Sequence, residues 1–527
     1  MIFPCQLSKK SLIINKLSGI FFNFIIISVM SKRYNHILKY TGLFGGIQIF
    51  NIIIQLVKNK LFALIIGPQG IGLQDILNRA TTLIYNLTNF GIGFSAVKVL
   101  SEAFEKNESE KITSTICLIR NRSILTGCFG TIICIILSPL ISYLSFSTSY
   151  NYKYFLFLSP VILFLSVGGG ETAILKAVRK LNQLAFNTFI STLICLIVAA
   201  PIYYFFKIRG VIPVIFLCGL LIFVCQIVIT NKIYPWKKYY RSTKITGEVP
   251  MLKSGIAFMT AAVIDNFAGI LIRNFIQDTG SLDEAGIYTS GFTQLYYLST
   301  LIFSTTDSDY YPRLAGVGGN NEKMKFTACR QIEIFVLITA PILIFYSIIL
   351  PYAVEIFYSK QFVKAIPLTI CAIYSVFFKT ITYPLNYFPL AKEDFSIFII
   401  MELFYNFCVI VGVCAGYKYY GMYGAGIGLS MSAFIEAIAL SIFYRAKYSF
   451  IHSRQTIYYT TVQLFLLSVT SVISFDNNQI RRIILISIIM TVSAIFSFVI
   501  IKKNTTFYKN IKAKINSKLN RHKTDEQ

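Results

Sequence analysis

The sequence predicts an all-α integral membrane protein with about 14 transmembrane helices, arranged as two six-helix halves plus two C-terminal helices. Three observations carry this. Of 527 residues, 55% are hydrophobic and 14% charged, with a mean hydropathy of +0.64. Soluble domains carry nearer a quarter charged residues. About fourteen apolar runs reach the roughly 20 residues a helix needs to cross a bilayer. Finally, the basic residues behind the formal net charge of +26 sit in short links between those runs. Lys/Arg-rich links alternate with Lys/Arg-poor ones, which implies an even number of spans and both termini in the cytoplasm. Nucleic acid is not an expected partner, because this charge marks loops rather than a soluble surface.

Residues 1–37 form an N-terminal extension. Lys9 and Lys10 precede an apolar run from Ile20 to Val29, which loosely imitates a signal peptide without a small-residue cleavage site. Met30-Ser31-Lys32-Arg33 reads as a natural start, with a short interfacial helix as the alternative. Spans are expected at 40–66, 79–98, 119–146, 153–176, 184–206 and 211–232 in the first half, 38–233. The link 234–253 carries Pro235, Gly247 and Pro250 and divides the chain. The second half, 254–447, holds spans at 254–276, 288–311, 330–350, 365–389, 395–415 and 422–444. Spans at 456–474 and 482–501 follow within 448–502, and a basic tail, 503–527, reads as a lipid-headgroup contact. Loop cations such as Arg120, Lys176 and Arg179 read as topology determinants.

The first span is the informative one. Gln48, Asn51, Gln55 and Lys58 are spaced 3, 4 and 3 apart, which puts them on one helical face, with Lys60 close behind. Such a stripe is costly against lipid and must face protein or a hydrated cavity. The span ends at Gly67-Pro68-Gln69-Gly70-Ile71-Gly72, a sharp turn. Asn78, Thr82, Tyr85, Asn86 and Asn89 make a second polar stripe. Asp265, Gly269, Arg273 and Gln277 recur every four residues on span seven, and Glu402, Asn406, Gly428, Ser432 and Glu436 add polar faces to spans eleven and twelve. The two halves also echo each other. A cation near the outer end of the first helix (Lys58/Lys60, Arg273) precedes a Gly turn and the second helix in both.

No phosphate loop, no His/Cys ligand set and no large soluble loop accompanies these groups, so an enzyme, a cofactor and a metal are not expected. The eleven cysteines form no Cys-x-x-Cys pair and read as small hydrophobes. What remains is charge at membrane depth. Candidate anion-binding residues are Lys58, Lys60, Arg79, Lys176, Arg179, Arg273 and Lys379. Candidate ion-coupling residues are Asp265, Glu402 and Glu436. Asn51, Gln55, Asn86 and Asn89 are candidates for cavity lining. Plainer roles compete: snorkelling for Lys58, Lys60 and Arg273, a helix-end pair for Asp307 and Asp309, and structural hydrogen bonds for Glu402 and Glu436. A cationic cavity favours an anion. Arginine's bidentate fork and lysine's compact charge suit a pyrophosphate, whereas a cationic drug would want acidic and aromatic walls.

The order of short motifs resembles the O-antigen flippases of the Wzx type, in the multidrug/oligosaccharidyl-lipid/polysaccharide exporter superfamily. These motifs are Gly67-Pro68-Gln69-Gly70-Ile71-Gly72-Leu73, Ala173-Ile174-Leu175-Lys176-Ala177-Val178-Arg179, Glu284-Ala285-Gly286-Ile287-Tyr288 and Tyr310-Tyr311-Pro312-Arg313-Leu314. Ala391-Lys392, Glu402 and the Gly421 to Gly428 stretch complete the series, and the likeness covers about residues 35 to 447. The resemblance implies two six-helix lobes in a V shape. It implies alternating-access flipping of an undecaprenyl-pyrophosphate-linked oligosaccharide across a bacterial inner membrane, in company with membrane lipids and with a polysaccharide polymerase and chain-length regulator as partners. Lys60, Arg79, Lys176 and Arg179 match the family's cationic positions, and Arg273 extends that set through the internal echo. A cation-coupled multidrug exporter and a membrane glycopolymer polymerase or ligase are the alternative readings.

Overall fold

The computed structural model describes residues 35–106, 108–236, 249–303, 310–476 and 478–504. The 1–34 part of the N-terminal extension, the 237–248 part of the basic link, Asp307 and Asp309, and the tail from 505 lie outside the described residues, as does the Asn51 side chain. The chain divides into two units. Met1–Ile49 with Phe498–Gln527 forms one, and among its described residues are only two helical ends. Phe50–Ser497 forms the other and carries everything discussed below.

All described elements are helical. α1 (Asn35–Asn89) breaks once, at Gly67, whose φ of 64° and ψ of −171° suit a residue without Cβ. Pro68 opens the next helical turn, where a missing N–H costs little. The expected turn over 67–72 is therefore a single residue, and Gly70 and Gly72 lie inside the distal arm of α1. That arm ends at Phe90-Gly91, both with positive φ, before α2 (Ile92–Glu105). The expected span at 79–98 is thus broken in two. α3 (Ser109–Phe146), α4 (Tyr152–Ala177), α5 (Leu181–Phe206) and α6 (Val211–Ile233) complete the first half. α7 (Val249–Thr279), α8 (Leu282–Phe303), α9 (Tyr311–Ala315), α10 (Asn321–Phe357), α11 (Ala365–Ala391) and α12 (Phe395–Tyr448) follow. α13 (Arg454–Ser474) and α14 (Gln479–Asn504) are last.

Each expected apolar run has its centre in one of these helices. Nine helical stretches among the described residues are long and apolar enough to cross a membrane by length and composition. One of them, Asn182–Ile233, runs through both α5 and α6. Another is α12, which folds back on itself at Gly421 (φ 58°, ψ −139°). Gly412 meets Gly428 and Gly416 meets Gly424 across this hairpin, backbone to backbone. Small residues at such spacing are how helices approach closely in lipid. Among the described residues, α8 and the part of α1 from residue 54 onward fall short of that apolar standard, and both carry the site described below. The protein is a multi-pass membrane protein.

In the first half, α4 packs against α2, α3 and α6, and α5 packs against α6. In the second, α11 packs against α8, α10 and α12, and α13 lies on α10 and α11. α7 touches α2 and α3 on one side and α8 and α12 on the other. α13 is tied to α10 by Glu333, which accepts from Ser453 and Thr456 at 3.0 Å each. Gln463, fully buried on α13, donates to Ser497 at 2.9 Å and accepts from Ser493 at 2.7 Å on α14.

One expectation is overturned. Arg120 is not a loop cation but a fully buried residue of α3. It grips Glu171 of α4 with two hydrogen bonds, 2.8 and 3.1 Å, donates to the Tyr234 carbonyl at 2.9 Å and stacks 4.6 Å from the Trp236 ring. Sequence position hid it, because its partner lies 51 residues away. Removing the partner's charge strands a buried guanidinium, a loss of about 3–5 kcal/mol. Glu171→Gln should therefore lower the thermal unfolding midpoint by many degrees. It should also shift the emission of Trp236, the sole tryptophan; both are read by intrinsic fluorescence of the purified protein.

Candidate functional site

The site is built where α1, α7 and α8 meet. Gly72 and Gly286 make that meeting possible. A Cβ at Gly72 would lie 2.6 Å from the Leu282 carbonyl oxygen and 2.9 Å from the Gly286 nitrogen. A Cβ at Gly286 would in turn strike the Pro68 carbonyl. The glycines of the internal echo thus touch each other, one from each half of the chain.

One turn beyond Gly72 stands Asp75. Its Oδ2 accepts from Arg79 Nε at 3.2 Å, one helical turn further on, and from Thr289 Oγ1 at 3.2 Å on α8. The same oxygen accepts from Nε of Arg273 on α7. Arg273 is 2% exposed, and its Nη1 donates to the Gly269 carbonyl at 3.1 Å. Its guanidinium lies 5.3 Å from the Tyr288 ring and 5.5 Å from Phe292, and that of Arg79 lies 5.8 Å from Phe292. Aromatic faces hold a guanidinium in a low-dielectric site without neutralising it. Gly269 completes the seat. A Cβ there would come 2.5 Å from Arg79 Nη1, so the glycine in the middle of the α7 stripe is where Arg79 rests.

A second group lies on α11 and α12. Lys379 Nζ sits 5.7 Å from the Tyr405 ring and in the field of Glu436, Asp265 and Glu402. Asn386 donates to Glu436 at 3.2 Å. Asp265 also acts on Arg79, so one row of charges runs from Arg273 through Asp75, Arg79 and Asp265 to Lys379 and the two glutamates. Among the described residues, Asp265, Lys379 and Glu402 form no direct ion pair.

The other expected residues lie apart from this row. Lys58 is half-buried against Phe62, 5.9 Å from its ring, near Cys195 and Cys218. Lys60 donates to the Glu355 carbonyl at 2.6 Å, a cation on the last turn of α10. Lys176 and Arg179 are exposed at the end of α4. Asn89 donates to Tyr85 at 3.1 Å, and Gln55 and Asn86 are half-buried. Among the described residues no group of three His, Cys, Asp or Glu could hold a metal ion. The residue sequence reasoning missed is Asp75. Its signal was the Asp-x-x-x-Arg spacing just after a helix break, which reads as a one-turn ion pair.

The arrangement presents two guanidinium groups, one from each half of the chain, to a single carboxylate at membrane depth. It is suited to holding an anion. The comparisons agree with the fold. A family model described as polysaccharide biosynthesis protein matches residues 61–367. No curated protein matches the chain. Among solved structures, the lipid II flippase MurJ in an inward closed conformation is 14% identical, covering 88% of this chain and 99% of its own, with a TM-score of 0.59. An inward-facing multidrug resistance MATE family transporter of the MOP superfamily is 12% identical over 74% and 94%, also at 0.59. A MOP superfamily transporter from Pyrococcus furiosus, described as having a binding pocket of reversed polarity, is 14% identical over 77% and 95%, at 0.57. The chain shares their fold.

The buried and exposed cations should separate in a stability measurement. Arg273→Gln removes an ion pair and two aromatic contacts and should cost several kcal/mol, on the order seen when one partner of a buried pair is deleted. Lys176→Ala, at an exposed helix end, should stay within about 0.5 kcal/mol. Thermal unfolding of the two variants in one detergent checks this ranking.

Proposed function

The chain belongs to the family of polysaccharide biosynthesis proteins, and from that membership we propose that it is a flippase for an undecaprenyl-pyrophosphate-linked oligosaccharide. The substrate crosses from the cytoplasmic to the periplasmic leaflet of a bacterial inner membrane, with both termini of the chain in the cytoplasm. The observation that carries the reading is the convergence of Arg79 and Arg273, from opposite halves of the chain, on one anionic centre. A pyrophosphate bound there bridges the two helix groups, which act as the two lobes of an alternating-access transporter. Charge-assisted bonds from guanidinium forks hold the phosphates, and Phe292 and Tyr288 keep the forks dry. The sugar head travels through the polar interior while the polyprenyl tail stays in lipid. A polymerase and a chain-length regulator then take up the periplasmic product.

The acidic end of the charge row supports ion coupling. Asp265, Glu402 and Glu436 act on the Lys379 ammonium without pairing directly with it, so a cation bound among them alters the field on Arg79 through Asp265. The MATE likeness keeps a multidrug exporter as the second reading, because acidic walls suit cationic drugs. The paired arginines favour the anion.

Deletion of the gene, followed by leaflet-resolved assay of lipid-linked repeat units, tests the proposal. Complete units should accumulate on the cytoplasmic face and surface polysaccharide should vanish. Arg273→Ala should reproduce the defect when transport is normalised to the amount of folded protein in the membrane. Units that still reach the periplasm but stay unpolymerised would point to a polymerase or ligase instead. Unchanged glycolipid with accumulation of toxic compounds would point to the exporter.

A further inference from the structure

Resting on the reading above, we propose that Asp75 is a resident stand-in for the substrate's phosphate, an internal anion that the incoming diphosphate must displace from Arg79 and Arg273. The contacts are those of a seat only partly filled. Three donors, Arg79 Nε, Arg273 Nε and Thr289 Oγ1, all converge on one oxygen, Oδ2. Buried Arg273 Nη2 has no acceptor, and Arg79 engages through Nε alone. Two guanidinium groups offer ten N–H bonds in fixed forks, and a carboxylate tied to its own helix meets few of them. A phosphate carries more oxygens, spread tetrahedrally, and reaches both forks bidentately.

The location of Asp75 gives this exchange a consequence. Asp75 stands on α1, while Arg273 and Thr289 stand on α7 and α8, next to the Gly72–Gly286 contact. The carboxylate therefore links the two halves of the chain. A diphosphate takes over the arginines and releases that link, so binding and rearrangement become one event. Asp75 acts as a positioning and selectivity residue. Anions too weak to outcompete it never gain both arginines, and a departing substrate is replaced by a group that never leaves.

The test is binding of inorganic pyrophosphate and of farnesyl diphosphate to the full-length protein in detergent, by calorimetry. Asp75→Asn removes the competitor while keeping its shape, and should tighten both ligands at least tenfold. Asp75→Glu, still a competitor, should bind near the wild-type level. Thr289→Val loosens the stand-in without removing it and should tighten binding a few-fold, which decides the matter if Asp75→Asn does not elute as a folded monodisperse species. Arg273→Gln should lose binding in every background. Asp75→Asn or Thr289→Val binding no tighter than wild type would overturn the stand-in alone. A gain for pyrophosphate with none for farnesyl diphosphate would overturn it for a lipid-borne head. No diphosphate binding by wild type or any folded variant would bring down the diphosphate reading itself, together with the stand-in.

Discussion

Holding two guanidinium groups, buried Arg273 and half-buried Arg79, on one carboxylate is the constraint on which this structure turns. Each charge costs about 3 kcal/mol at the centre of a bilayer helix on insertion scales, and two like charges repel as well. One carboxylate, Asp75, offsets part of that cost for both arginines. Much of the local architecture exists to let it. The break at Gly67 frees the distal arm of α1 to take its own direction. Gly72 and Gly286 remove the side chains that would hold α1 and α8 apart, and Gly269 removes the one that would collide with Arg79. Thr289, Tyr288 and Phe292, all on α8, supply a hydroxyl and two ring faces. A change at Gly72 or Gly286 acts on the site through helix spacing, and one at Gly269 through the seat of Arg79.

The same logic separates the charges that are structural from those that are available. The Arg120–Glu171 pair is bidentate and sealed from solvent, with Arg120 Nη1 left without an acceptor, and it fastens the end of α6 through Tyr234 and Trp236. Nothing in it invites a ligand. Lys60 is likewise spent, on a helix-terminal carbonyl. The Arg79–Arg273 pair shares one oxygen and leaves donors over. What separates the two is how the acceptor is shared: Glu171 gives Arg120 both of its oxygens, whereas the partly exposed Asp75 divides one oxygen between two arginines.

Much of this was legible in the sequence, and the losses have physical reasons. Apolar run length and loop charge located the helices, since both follow directly from bilayer thickness and the positive-inside bias. The four-residue recurrence of Asp265, Gly269 and Arg273 correctly put them on one face. It could not reveal that Arg79 lies across the glycine, because that contact joins residues 190 positions apart. Asp75 was overlooked for a related reason: an acid close behind a Gly-Pro break looks like a loop residue until the helix is seen to restart at Pro68. Arg120 was read as a loop cation because basic residues at span ends usually are. Only its partner on α4 makes it a core residue. The halves' echo was faint as a sequence pattern, yet its two glycines prove to be in contact.

The charge row as a whole is bipolar, where the sequence reading has a cavity that leans positive with Asp265, Glu402 and Glu436 as acidic ion-coupling candidates. Its α7–α8 end is dominated by Arg79 and Arg273. Its α11–α12 end carries Glu402 and Glu436, whose field, with that of Asp265, acts on Lys379. Asp265 belongs to both ends, since it acts on Arg79 and on Lys379. Electrostatic energy falls off slowly in a medium of low dielectric, so charges in such a row act on one another beyond their nearest neighbours. On the proposed reading, an anion beside Arg79 is felt by Lys379 through Asp265, which acts on both cations. When the glutamates change charge, the same residue carries the effect back. Linkage requires these influences to be equal in both directions. A fold that needed only to bind an anion could have ended its polar row at Asp265. Its continuation to Lys379, Glu402 and Glu436 gives anion binding and a distant acidic cluster a common intermediary.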